Sequence, residues 1–198
     1  ALFKARILEV TPEALSNCGT LPRSLLSHAV AERSYSRLPE PFARAMSELE
    51  KQTATQVNPM LIDVRIDQAL FELIGQNMAQ VKSRTAREYF RAKADFVNLL
   101  TFLRMRGTDL AGLELENLLV PGGGVDRRDW RGVAESPDRL PYLFSRFGGD
   151  VQSALVKAMS DKKALPALER QMDDYLLGLF RPYRNEPFAA EVDRKSVV

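Results

Sequence analysis

The chain has 198 residues, 45% of them hydrophobic and 27% charged, with 28 Lys+Arg against 26 Asp+Glu for a net charge of +2. This is ordinary globular composition at a length that can bury a core, and it excludes collagen-like, low-complexity and strongly basic nucleic-acid-binding classes. A single cysteine, Cys18, excludes an internal disulfide and a cysteine zinc cage, and a single histidine, His28, excludes a multi-histidine metal site and argues against a His-based triad.

The densest basic pairs, Arg127-Arg128 and Lys162-Lys163, each adjoin aspartates, which is the pattern of a solvated face rather than of a nucleic-acid or lipid-headgroup patch. Ala1-Leu2-Phe3-Lys4 leads into charged residues and does not read as a signal peptide. No apolar run approaches the roughly 20 residues that span a bilayer. The missing initiator Met predicts a chain that begins partway through a longer one.

Helical periodicity governs the chain from its start. Thr11-Pro12-Glu13 has the form of a helix cap with proline at the first helical position, and Gly19 closes that segment. A second helix is predicted from about Pro22 to Arg37, with Leu25, Leu26, Ala29 and Val30 on one face. Pro39-Glu40-Pro41 separates it from a third carrying Phe42, Ala45, Met46 and Leu49. Pro59 opens a long helix in which Ile62, Ile66, Ala69, Leu70, Leu73, Ile74, Met78 and Val81 recur every three or four residues. The polar patch Lys82-Ser83-Arg84-Thr85 predicts a turn or kink.

The next helix, about Ala86 to Arg106 with Gly107 as its cap, is the informative one. Phe90, Phe96, Val97, Leu99, Leu100, Phe102, Leu103 and Met105 leave few exposed directions, so it is predicted to be central. Yet Asp95 and Asn98 sit one turn apart, and Arg106, eleven residues after Asp95, returns to nearly the same face. A buried carboxylate must be paired or hydrogen-bonded, so Asp95, Asn98 and an arginine are predicted to form an internal polar network. Its reading is structural rather than catalytic, because no second carboxylate or histidine lies nearby in sequence to share acid-base work.

Asp109 then reads as a cap, followed by a leucine-rich helix (Leu110, Leu113, Leu115, Leu118, Leu119) ending at Pro121-Gly122-Gly123-Gly124. A phosphate loop would require Lys-Ser/Thr and a helix after the glycines, and Val125-Asp126-Arg127 stands there instead, so this is a turn. Further helices are predicted over about Asp126–Ala134, Pro137–Arg146, Asp150–Met159 and Lys162–Phe180, the last with Leu165, Leu168, Met172, Leu176 and Leu179 on one face. No segment alternates with period two, and the predicted fold class is all-α. Ile66-Asp67…Phe71…Leu73 and Met172-Asp173…Leu176…Leu179 show a weak internal similarity, as stacked helical units would.

The stretch Asp95-Phe96-Val97-Asn98-Leu99-Leu100-Thr101-Phe102-Leu103-Arg104-Met105-Arg106-Gly107 resembles the signature helix of the C/d subunit family of V-type and archaeal-type rotary ATPases: Asp, Asn three residues on, and an arginine pair closing the helix. The resemblance extends to Leu118-Leu119-Val120-Pro121-Gly122-Gly123, to Ile66-Asp67…Phe71 upstream, and to Leu168-Glu169…Asp173-Tyr175-Leu176 with Glu186-Pro187-Phe188 downstream, covering roughly residues 59–188. Its motif residues are thus Asp67, Asp95, Asn98, Arg104, Arg106, Pro121, Gly122 and Gly123.

The resemblance implies a funnel-like, multi-helix array of related units: short N-terminal helices over 1–58, a central unit over 59–125 and a second over 126–198, shortened at its C-terminus. It implies a non-catalytic central-stalk adaptor on the cytoplasmic face of the membrane, peripheral, with the central shaft subunits and the membrane proteolipid ring as partners. No catalytic, cofactor or metal residue, no nucleic acid and no small-molecule substrate is expected. Shaft contact is expected at helix ends and loops, including the region after Gly122. The ending Asp193-Arg194-Lys195-Ser196-Val197-Val198 replaces the family's further charged helix, which predicts a fragment or a shortened relative. Two other readings compete. A generic helical scaffold or regulatory module gives no reason for the Asp95-Asn98-Arg104-Arg106 order. An all-α enzyme would need two of Asp63, Asp67, Asp95, Asp173 and Asp174 in one pocket.

Overall fold

The structure is a computed structural model and describes residues 3, 5, 21–53, 59–106 and 115–184. The expected features at Thr11-Pro12-Glu13, Cys18, Gly19, Gly107, Asp109 to Leu113 and from Glu186 onward lie outside the described residues. Among the described residues there is no strand, and the fold is all-α as the periodicity predicts. Its helices are α1 (Arg23–Ala31), α2 (Glu40–Thr53), α3 (Pro59–Met78), α4 (Arg84–Met105), α5 (Arg127–Glu135), α6 (Leu140–Leu143), α7 (Gly149–Ser160) and α8 (Leu165–Gly178), with short 3-10 turns between several of them. The chain divides into two compact units, residues 1–74 and 75–197, with the boundary inside α3.

In the first unit, Ala29 of α1, Tyr35, Met46 and Leu49 of α2, and Ile62 of α3 close over one another with Phe3. Helix α1 ends at Ala31, short of the expected Arg37, because Arg33 turns into the left-handed region (φ 52°). That turn delivers Tyr35 to the core, where its hydroxyl donates to Glu50 Oε1. On the outside, Arg44 bonds Glu40 and Glu72, each at 2.6 Å, and so ties α2 to α3. Both pairs are largely exposed, so water and salt screen them and they add little to stability.

The second unit is built around α4. Ser83 accepts a hydrogen bond from the Ala86 N–H at 3.0 Å, so the polar patch is the helix cap. Ala92, Phe96, Leu99, Phe102 and Leu103 of α4 meet Trp130 and Val133 of α5, Leu140 of α6, Phe144 and Phe147, Val151, Leu155 and Ala158 of α7, and Leu168, Met172 and Leu176 of α8. Aromatic pairs lie within this core, Phe96–Phe147 at 4.6 Å and Trp130–Phe144 at 6.0 Å between ring centres. The predicted helix over 137–146 is instead a 3-10 turn, the single turn of α6 and a second 3-10 turn. Pro141 lacks the N–H that would bond the Pro137 carbonyl and carry the first turn on into α6. For the same reason α8 starts at Leu165 with Pro166 in its first turn, after a separate 3-10 turn at Lys162–Ala164.

Candidate functional site

Two polar residues sit in the apolar face of α4: Asp95 is 0% and Asn98 3% exposed. Each is satisfied by the segment that precedes α5. The Asn98 side chain donates from Nδ2 to the Val120 carbonyl at 3.0 Å and accepts the Val120 N–H on Oδ1 at 2.7 Å. One amide thus satisfies both backbone groups of a buried residue, which frees the segment from needing helical bonds of its own. The leucine-rich helix expected to run up to Pro121 is corrected accordingly. Its described part is a 3-10 turn over Leu115–Asn117, followed by non-helical, buried Leu118, Leu119 and Val120.

Past Val120 the chain turns at Pro121 and Gly122, the latter at φ 91°, the pairing of a type II turn. Asp95 accepts from the backbone just beyond this turn, with Gly124 N–H at 2.8 and 2.9 Å from its two oxygens and Val125 N–H at 3.0 Å from Oδ1. A Cβ at Gly123 would stand against Asp95 Oδ1, so only glycine lets the backbone approach this closely. Arg146, in the 3-10 turn after α6, completes the cluster by donating from Nη2 to Asp95 Oδ2. Its guanidinium also lies over the Phe147 ring, 4.6 Å from the centre.

Burial pushes the Asp95 carboxyl above the usual carboxylate range, opposed in turn by the N–H groups of Val125 and Gly124 and by the charges of Arg146 and Arg91. Removing its partners would strand a buried charge, a loss of about 3–5 kcal/mol for a pair of this kind.

The other motif residues lie elsewhere. Arg104 is on the surface, paired with Glu169 of α8 at 2.6 Å. Arg106 does not reach Asp95. Its Nη1 points to the Met159 carbonyl at 3.4 Å, and its own carbonyl accepts from Lys162 Nζ at 2.6 Å. The arginine of the polar network is therefore Arg146, which lies 51 residues from Asp95 and carries no periodic signal linking the two. Arg91 is a further member that the sequence reading does not single out, although its place one turn before Asp95 on the same helix is a readable i,i+4 relation. Asp67 belongs to the first unit, on the exposed side of α3. Partial burial, and then the like charge of Asp63 one turn earlier, raise its carboxyl.

Chemically, the cluster around Asp95 holds a loop. The oxygens of Asp95 are occupied by backbone donors and a guanidinium, and Asp173 is engaged separately with Lys93 at 3.8 Å. Of the five aspartates an acid-base enzyme could draw on, Asp95 and Asp173 have separate cationic partners, and the pair that lies side by side is Asp63 and Asp67, one turn apart on the exposed side of α3. Among the described residues no group of three or more His, Cys, Asp or Glu could hold a metal ion, and no helix is long and apolar enough to cross a membrane.

A family model described as ATP synthase (C/AC39) subunit matches residues 1–192, extending upstream of the region that carries the sequence resemblance. Neither a curated protein nor a solved structure shows a match. With nearly the whole chain covered, this protein belongs to the ATP synthase (C/AC39) subunit family, the C/d subunits of V- and A-type rotary ATPases.

Proposed function

We propose that this chain is a non-catalytic central-stalk subunit that couples the central shaft of a rotary ATPase to its membrane proteolipid ring, docked peripherally on the cytoplasmic face. The observation that carries the reading is the family match over residues 1–192, whose members are rotary ATPase stalk subunits working with other subunits of the complex. The geometry of the second unit supports it. A torque-bearing adaptor needs loops held in register against a stiff helix, and Asn98 and Asp95 clamp residues 120–125 to α4 through five side-chain-to-backbone hydrogen bonds. Such buried polar contacts specify register more than they add net stability.

The test presents the shaft subunits and the detergent-solubilised proteolipid ring separately to the purified chain. Stable, saturable capture by both is expected. A folded chain that binds neither would contradict the adaptor reading.

A further inference from the structure

The charge around the glycine turn does not balance. A Cβ added at Gly124 would lie 2.6 Å from Arg91 Nε and 2.7 Å from Arg146 Nη2, so two guanidinium groups lie side by side over this residue. Of the two, Arg146 is bonded to Asp95, and Arg91 makes no hydrogen bond or ion pair among the described residues. Asp95 is fully buried beneath them, whereas the Arg146 side chain is 42% exposed and Arg91 is exposed. Glu88, three residues before Arg91 on α4, does not pair with it. Tyr175, packed edge-on against Phe147 at 5.2 Å, has its hydroxyl raised by burial and then by Glu88, so it stays neutral and adds no countercharge. Asp126, two residues after Gly124, is exposed and pairs with neither arginine, so two cations lie over one buried carboxylate and their free donors face outward.

The loop amides cannot supply the binding groups, because Gly124 and Val125 N–H are already given to Asp95. What remains on offer is the paired guanidinium donors, a fork geometry that matches a carboxylate. We propose that Arg91 and Arg146, held together over Gly124, form a docking point for an Asp or Glu side chain on an acidic segment of a neighbouring protein subunit of the rotary ATPase. This rests on the adaptor reading above. It also accounts for glycine at position 124, where any side chain would displace both arginines.

The experiment measures binding of the full chain to the shaft subunits and to the proteolipid ring, in separate arms, as a function of salt. The wild type is compared with Arg91→Gln, Arg91→Lys and Arg91→Glu. Arg91 makes no hydrogen bond within the described residues but its charge acts on Asp95, so circular dichroism and melting temperature are measured for each variant. Binding is compared among the folded ones, with Arg91→Lys, which keeps the charge, as the control for stability. Arg91→Gln should weaken one arm about tenfold and flatten its salt dependence. Arg91→Lys should restore part of the affinity, and Arg91→Glu should abolish binding in that arm. Wild-type binding with all three variants equal to it would overturn this inference and leave the adaptor reading intact. No wild-type binding in either arm would overturn the adaptor reading and this inference with it. A third arm uses phosphatidylserine vesicles. Vesicle binding lost in Arg91→Gln while subunit binding is unchanged would assign the arginine pair to lipid and overturn the proposal.

Discussion

The two ends of the signature stretch in α4 both carry polar side chains and do different work. At one end Asp95 and Asn98 are buried and bonded to the backbone of residues 120–125. At the other, Arg104 pairs with Glu169 on the surface and Arg106 reaches a helix-end carbonyl. In sequence they form one motif, but physically only the first end is costly to disturb. A charge or amide removed from a sealed site leaves its partners without water, whereas one removed from the surface is replaced by solvent.

Substitutions should separate the two ends in a fixed order. Asp95→Ala leaves the Gly124 and Val125 N–H groups without their acceptor, while Arg146, 42% exposed, is taken up by solvent, and it should cost about 2–4 kcal/mol of unfolding free energy by chemical denaturation. Asn98→Ala strands both backbone groups of Val120 and should cost about 2–3 kcal/mol in the same assay. Gly123→Ala pushes a methyl group against Asp95 Oδ1 and should cost about 1–3 kcal/mol, with the loss largely absent in an Asp95→Ala background. Arg104→Ala at the exposed end should cost no more than about 0.5 kcal/mol. A cost at Arg104 equal to that at Asn98 would mean that the exposed end is held as tightly as the buried one.

The buried end should also respond to pH. Because the folded Asp95 carboxyl is raised, the native state binds its proton more tightly than the unfolded chain does. The resulting contribution is fully present below the unfolded value of about 3.9 and is lost as pH rises through the folded one. The stability of the wild type relative to Asp95→Asn should therefore fall from pH 4 towards pH 7. A difference that grows with pH would show the donors and Arg146 outweighing burial.

Much of this architecture is legible in the residues. The apolar periodicity of α4 and the four-residue spacing of Leu168, Met172 and Leu176 mark elements and core faces directly, because burial on one face imposes the period. In α3 the periodicity marks the helix but misplaces part of its face, with Leu70 41% exposed and Phe71 buried instead. The need for a partner at Asp95 is legible too, since a carboxylate on an apolar face has few alternatives. Its partner is not. Arg146 arrives from 51 residues away, and no local pattern encodes such a contact. Leu118 and Leu119 read as helix in the sequence because their hydrophobicity reports burial alone. Asn98, a side chain on another element, bonds both backbone groups of Val120 just after them, where the chain is not helical. The break at Pro141 is written in the sequence, but the apolar residues around it mask it.

Amide hydrogen exchange reports directly on whether two side chains of α4 hold the glycine loop. In the wild type the N–H groups of Val120, Gly124 and Val125 should exchange slowly. Asn98→Ala should release Val120, and Asp95→Ala should release Gly124 and Val125, while the amides in the middle of α7 stay protected. Rapid exchange of these three amides in the wild type, or no change in either variant, would mean that Asp95 and Asn98 do not hold the loop.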